Sequence, residues 1–324
     1  MSLNRRFRQI IEDFPHDKAA VPVVDMHLHM VDFIQHTDGL KVLLGAMQKA
    51  NIEKTVAFGL PVRKKWEISE PVKPHYYLDD DSRCYYFAST DELLAEEYLK
   101  LDAEEKKRIA PTLCGFNPTD RLAVEYVEYM FSKYPFWRGV GEILCRHDDL
   151  TSLTGEETAR INHPALFDVF AFCAERGLPV CVHENSTSAG HHDLFEYLHE
   201  LKEALVLFPR TIFVWAHCGI SRRVSHKQYF KMAGDMLRAH DNLYVDYSWV
   251  VYDDVICEHH QPKAHWLALT QEYSERIMIG SDLCGHFDLL GKTMARYNIL
   301  LEMLPDGARE RVARKNAEAL WFSQ

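Results

Sequence analysis

Five side chains able to ligate a metal stand at the ends of separate apolar runs. His27 and His29 end the run 21–29, His183 ends 178–183, His217 ends 211–217 and Asp282 ends 277–282. A strand that runs apolar and stops on such a residue carries it to the rim of a sheet. Several strands of this kind, parallel and adjacent, would build one site from residues far apart in the chain. His27 and His29 are two apart, so in a strand they project from one face. Both imidazoles can then reach one ion at about 2.0–2.1 Å. The chain has 18 histidines, so the triplet alone is weak evidence. Its place at a strand end strengthens it. His183 and Asp282 add a nitrogen and an oxygen. Three imidazoles and a carboxylate suit Zn2+ first, with Fe2+ or Mn2+ as alternatives.

The elements that must hold these residues alternate in type. Strand-like runs cover 21–29, 54–60, 109–116, 137–144, 178–183, 211–216, 243–247 and 277–281. Helical spacing covers 39–51, 93–109, 122–134, 164–176, 193–208, 230–239 and 263–273, and two more helices, 289–304 and 307–322, close the chain. Such alternation implies parallel strands joined by right-handed crossovers. Eight units with polar residues at the strand ends predict a (β/α)8 TIM barrel, with an extra C-terminal helix and its site at the C-terminal face. An open doubly wound sheet would want a Gly-rich loop after the first strand, and there is none.

One domain is predicted over 1–324. The segment 61–90 interrupts it between the second strand and its helix. It holds Trp66, Tyr76, Tyr77, Tyr85, Tyr86 and Phe87 beside the acidic run Asp79-Asp80-Asp81. A long connection is usually functional or disordered, and this aromatic content argues against disorder. It reads as a lid over the barrel mouth or as a contact between copies in a homo-oligomer.

Composition narrows the function classes. With 37 basic and 48 acidic residues the net charge is −11, which disfavours a nucleic-acid surface. The eight cysteines form no CxxC pair, and Cys114, Cys181 and Cys218 lie inside or beside apolar runs, as reduced buried thiols do. No run approaches the roughly 20 apolar residues of a membrane span, and 1–14 does not read as a secretory signal. A cytoplasmic protein acting on a small molecule is expected, without nucleic-acid or membrane partners.

Taken together, the motifs resemble the amidohydrolase superfamily, in its amidohydrolase-related (amidohydrolase 2) branch. The resemblance rests on Val24-Asp25-Met26-His27-Leu28-His29, Gly139-Val140-Gly141-Glu142-Ile143, Asn162-His163-Pro164, Val180-Cys181-Val182-His183, Trp215-Ala216-His217-Cys218-Gly219, Gly280-Ser281-Asp282 and Lys315-Asn316-Ala317-Glu318-Ala319-Leu320. It implies that His27, His29, His183 and Asp282 hold one divalent metal. Asp282 would take the proton of the attacking water. His217 would orient water and substrate, or bind a second metal. Binuclear members often carry a carboxylated lysine at the end of the fourth strand. This chain has Glu142 there instead, as a bridging ligand or as a support for a ligand histidine. Asp25 would orient a neighbour.

Substrate contacts are expected from other strand ends: Asn117, Arg146, Tyr247, Trp249 and His286, with Arg146 suited to a substrate carboxylate. His191-His192 and His259-His260 read as solvated. The resemblance implies hydrolysis of an ester, lactone or amide by metal-activated water. Non-oxidative decarboxylation of an aromatic or unsaturated acid is the alternative within the branch, and a non-catalytic metal-binding barrel is the alternative outside it.

Overall fold

The computed structural model describes residues 11–12, 14–66, 72–74, 76–155 and 157–323. The reading of 1–14 falls almost wholly outside these, as do positions 67–71 and 75 of the insertion. Twelve strands are present among the described residues: β1 (Val23–His29), β2 (Ile52–Phe58), β3 (Val62–Lys64), β4 (Cys84–Tyr86), β5 (Ile109–Pro111), β6 (Val140–Cys145), β7 (Val180–Glu184), β8 (Phe213–Trp215), β9 (Leu243–Asp246), β10 (Cys257–Glu258), β11 (Gln261–Pro262) and β12 (Ile277–Met278).

Eight of these form the barrel. β1, β2 and β5 make one parallel sheet, and β6, β7, β8, β9 and β12 make another. Backbone hydrogen bonds join the two sheets at both seams. Leu113 N donates to Gly139 O (3.2 Å) and Gly141 N to Leu113 O (2.8 Å) on one side. On the other, Met26 N donates to Ile279 O (3.0 Å), His29 N to Leu283 O (2.8 Å) and Asp282 N to His27 O (2.7 Å). This second seam therefore draws residues 27, 29 and 282 together. It needs a glycine, because a Cβ at Gly280 would lie 2.7 Å from His27 Cβ.

The strands are buried on both faces, as parallel strands covered by helices must be. The helix Asn316–Trp321 seals the end away from the site. A Cβ at Gly139, just before β6, would fall 2.2 Å from the Trp321 ring and 2.7 Å from Pro179 O, just before β7. Trp321 is fully buried and meets Phe58 edge to face.

Three helices differ from their sequence reading, one of them 289–304, which breaks into Leu290–Ala295 and Asn298–Met303. The segment 93–109 breaks into Ser89–Leu99 and Ala103–Lys106, because Asp102 starts a new helix. Its side chain accepts from Glu105 N (2.9 Å) while the Glu105 carboxylate accepts from Asp102 N (2.8 Å). The helix expected from 193 begins only at Leu198, since residues 188–197 form turns. In the insertion, β3 and β4 pair antiparallel, and Tyr76, Tyr77, Leu78 and Asp79 turn toward the barrel mouth.

Candidate metal centre

Glu142 lies among the imidazoles that the sequence singles out. Its Oε2 is 3.3 Å from His29 Nε2 and 3.6 Å from His27 Nε2. Its Oε1 is 3.2 Å from His183 Nδ1 and 3.4 Å from His217 Nε2. Asp282 closes the ring, with Oδ1 3.3 Å from His29 Nε2 and 3.7 Å from His27 Nε2, and Oδ2 4.0 Å from His217 Nε2. All six side chains are buried or nearly so, and their polar atoms face one another across the gap.

The outer nitrogens explain the orientation. His29 Nδ1 lies 2.6 Å from Gly59 O, and a carbonyl only accepts, so Nδ1 carries the hydrogen. His27 Nδ1 donates to Asp246 Oδ2 at 3.2 Å. His217 Nδ1 lies 2.8 Å from Ser248 Oγ, whose own proton goes to Asp246 Oδ1, so the imidazole is again the donor. Three Nε2 atoms are thereby turned inward as lone pairs, the arrangement that ligand histidines need. His27 Nε2 and His183 Nε2 are buried with no hydrogen-bond partner. Buried nitrogens of this kind rarely go unpaired, and their carboxylate neighbours favour a cation. The residues therefore fit a divalent metal held by N and O ligands.

Protons otherwise take the cation's part. Burial opposes charge on His29, but the Asp282 and Glu142 carboxylates prevail and hold it up at about 9. His27 is likewise raised despite burial, by Glu142 and Asp246. Reciprocally, against burial, the His27 charge and hydrogen bonds from His183 and His217 pull Glu142 well below the usual carboxylate range. Asp246 falls to about 2, with burial outweighed chiefly by His27. Asp25 is pushed up to about 6 by burial. Its Oδ1 accepts from His27 N (3.1 Å) and Ser281 N (2.8 Å), tying the first ligand strand to the last.

A cavity of about 740 Å³ opens above this cluster. Of the residues expected to contact substrate, Trp249 and His286 line it. Trp249 sits at φ 68° and its ring lies 5.0 Å from that of His217. A bulky residue held there is locally strained, a condition common at functional sites. Three other expected substrate contacts do not line the cavity. Arg146 is clamped by Glu200, its Nε 2.8 Å from Oε2, and stacks on the Tyr197 ring at 4.1 Å. Tyr247 is fully buried, its hydroxyl 3.2 Å from Thr270 Oγ1. Asn117 is taken up locally, its Oδ1 accepting from Thr119 N and Oγ1 at 3.0 Å. His191, His192, His259 and His260 are exposed, as read.

Sequence reasoning passed over Asp246 and Arg222, and named Tyr76 and Tyr77 only as aromatic residues of the insertion. Asp246 ends β9 just as His183 and Asp282 stand at strand ends, and that position was a usable signal. Tyr76, Tyr77 and Arg222 lie in loops, where no period marks them.

A sequence profile described as Amidohydrolase matches residues 147–322, more than half of the chain. The chain belongs to the amidohydrolase family. Members of this family are metal-dependent hydrolases, and so is this enzyme. The profile match begins after His27, His29 and Glu142, but likeness to solved structures spans the front of the barrel as well. An uncharacterized TIM-barrel protein from Bordetella bronchiseptica is 14% identical, with 92% of this chain and 97% of that one covered and a TM-score of 0.59. A Pseudomonas putida protein described as a 2-pyrone-4,6-dicarboxylic acid hydrolase is 15% identical over 94% and 98%, with a TM-score of 0.56. An amidohydrolase from Burkholderia multivorans with bound zinc is 13% identical over 92% and 98%, with a TM-score of 0.55. Identities this low carry the TIM-barrel fold to this chain and nothing finer. The chain matches no curated protein.

Proposed function

We propose that this amidohydrolase cleaves an ester, lactone or amide bond in a small molecule, using His27, His29, His183, His217, Glu142 and Asp282 to hold divalent metal. The observation that carries this reading is the Glu142 carboxylate placed between two imidazole pairs, with Asp282 beside it at the cavity floor. The sequence favours a single ion. The position of Glu142 between the His27–His29 and His183–His217 pairs supports a second, which His183 and His217 would hold, with Glu142 standing where other members carry a carboxylated lysine. Zinc is the first choice, because imidazole and carboxylate are its usual donors.

A divalent cation bound here supplies a more acidic water and a polarised substrate carbonyl. Asp282 holds the remaining chemistry. Its side chain is 11% exposed against 3% for Glu142, so it is the carboxylate open to the cavity. It takes the proton of the attacking water on a carboxylate oxygen and passes it to the leaving group. His217, locked by Ser248 and Asp246, presents its Nε2 lone pair to the same space as a ligand. Tyr76, Tyr77, Leu78 and Asp79 roof the cavity, which supports the lid reading of the insertion. The eight cysteines are all free, in keeping with a reducing compartment such as the cytoplasm, and no described helix is long and apolar enough to cross a membrane.

The test is a panel of esters, lactones and amides offered to chelator-treated and zinc-restored protein. Acid release restored by zinc is expected. CO2 release from aromatic carboxylates, with no acid from any member of the panel, would overturn the reading in favour of decarboxylation.

A further inference from the structure

Around a bound metal the cavity floor offers acceptors. His27, His29 and His217 carry their hydrogens on Nδ1 and turn lone pairs inward, and Glu142 and Asp282 add carboxylate oxygens. None of these groups then donates a hydrogen bond to a substrate oxygen. Tyr77 and Arg222 also line the cavity, but the Tyr77 hydroxyl and both Arg222 Nη atoms are directed at neighbours. Tyr77 Oη donates to Asp149 Oδ2 at 3.3 Å, and Arg222 donates to Tyr76 Oη at 2.8 Å and to Asp149.

His147, two residues past β6, lines the same cavity and is only 7% exposed. Its ring lies 4.5 Å from that of His183, 5.9 Å from Tyr77 and 6.0 Å from Trp249. Its backbone is fixed, with O accepting from Thr151 Oγ1 at 2.6 Å. Nδ1 accepts from Asp149 N (3.2 Å) and Leu150 N (3.1 Å), where the helix Leu150–Leu153 begins. A ring nitrogen that accepts these bonds carries no hydrogen, so the imidazole is neutral and its hydrogen is on Nε2. Among the described residues no acceptor meets Nε2, and His147 stands outside the groups that converge as metal ligands. Donors buried to this degree are normally paired, so the missing acceptor belongs to what fills the cavity.

We propose that His147 donates its Nε2 hydrogen bond to the carbonyl oxygen of the bond being hydrolysed, as negative charge develops there. This deepens the hydrolase reading and rests on it. The oxygen of the attacking water bonds to the carbonyl carbon, its proton passes to Asp282, and the carbonyl π pair moves onto the carbonyl oxygen. When that pair returns, the bond to the leaving group breaks and the leaving group takes the proton from Asp282. His147 keeps its hydrogen throughout. A donor fixed before the reaction meets the new charge without reorganising, which is where such donors act most strongly. The orienting part expected of His217 passes to a histidine whose tautomer allows it.

The test uses the zinc-loaded full chain and its H147N and H147Q variants. Asn places an amide oxygen where Nδ1 stands, so H147N keeps the acceptor for Asp149 N and Leu150 N and loses the Nε2 donor. Gln reaches the Nε2 position with an amide hydrogen and gives up that acceptor. On the ester, lactone and amide panel H147N should lower kcat about 10²- to 10³-fold with little change in KM, and H147Q should keep most of the rate. Zinc content should be unchanged in both. Phenylphosphonate, a tetrahedral anion whose binding needs no turnover, should bind H147N about 10- to 100-fold more weakly than wild type by calorimetry, and H147Q nearly as wild type. The reverse order, with H147N like wild type and H147Q impaired, would overturn the proposal and leave His147 as a support for its loop. So would loss of zinc from H147N, which would make His147 a ligand. If H147Q fails to fold, H147N against wild type decides by the same measurements. Weaker phosphonate binding in H147N, beside a wild type that hydrolyses no member of the panel, would overturn the hydrolase reading instead.

Discussion

Asp246 Oδ2 lies 3.2 Å from His27 Nδ1, while its Oδ1 accepts from His217 N at 3.2 Å. One carboxylate at the end of β9 thus holds the His27 imidazole, from β1, and the His217 backbone, just past β8. Asp246→Asn should lower metal affinity about 10- to 100-fold, as loss of a residue that orients ligands does. Competition with a fluorescent chelator measures this, and activity should recover at saturating metal. Wild-type affinity in the variant would show that His27 and His217 do not depend on Asp246.

Asp282 is assigned the proton of the attacking water. Asp282→Asn should reduce kcat about 10²- to 10⁴-fold at saturating metal, the usual range for a lost general base. Turnover equal to wild type would mean that another group accepts the proton.

Glu142 distinguishes one ion from two. Metal analysis of the purified chain should give close to two ions per molecule, and Glu142→Gln should hold one or fewer. Full activity of the wild type at one equivalent would leave Glu142 as an orienting partner of His183 rather than a shared ligand.

Asp91 gives a pH dependence away from the metal. It is buried and accepts from Cys114 N (3.0 Å), Gly115 N (2.7 Å) and Tyr126 Oη (2.9 Å). Burial nevertheless pushes it up to about 7 from 3.8. Between those values the folded chain keeps a proton that the unfolded chain has released. Its stabilising share is whole below about 4 and is lost as pH rises through about 7, by up to about 1.4 kcal/mol per pH unit. Urea unfolding of wild type and Asp91→Asn across this window should show the wild type losing more stability with rising pH. Parallel curves would place the Asp91 carboxyl near its ordinary range.

Much of the scaffold was legible from period and punctuation. Eight apolar runs separated by helical spacing define a parallel barrel because strands buried on both faces must be continuously apolar. A polar residue ending such a run has only the rim to go to, which is why His27, His29, His183, His217 and Asp282 could be named from the chain. Glu142 was visible as a replacement for lysine, though not its place between two imidazole pairs. Helix ends were less legible, because the capping box at Asp102 acts over one turn while the apolar spacing continues across it.

What the chain alone determined is the set of strand-end donors, since alternation and burial are local properties that each segment carries by itself. Only the tertiary structure decided which arginine faces the cavity. Arg146 and Arg222 both follow barrel strands, but Glu200 captures the first at 2.8 Å, while Tyr77 and Trp249 hold the second over the site. These partners lie between 27 and 145 residues away in sequence, so no local pattern records them. A charge's role depends on which neighbours neutralise it, and that is settled only when distant loops meet.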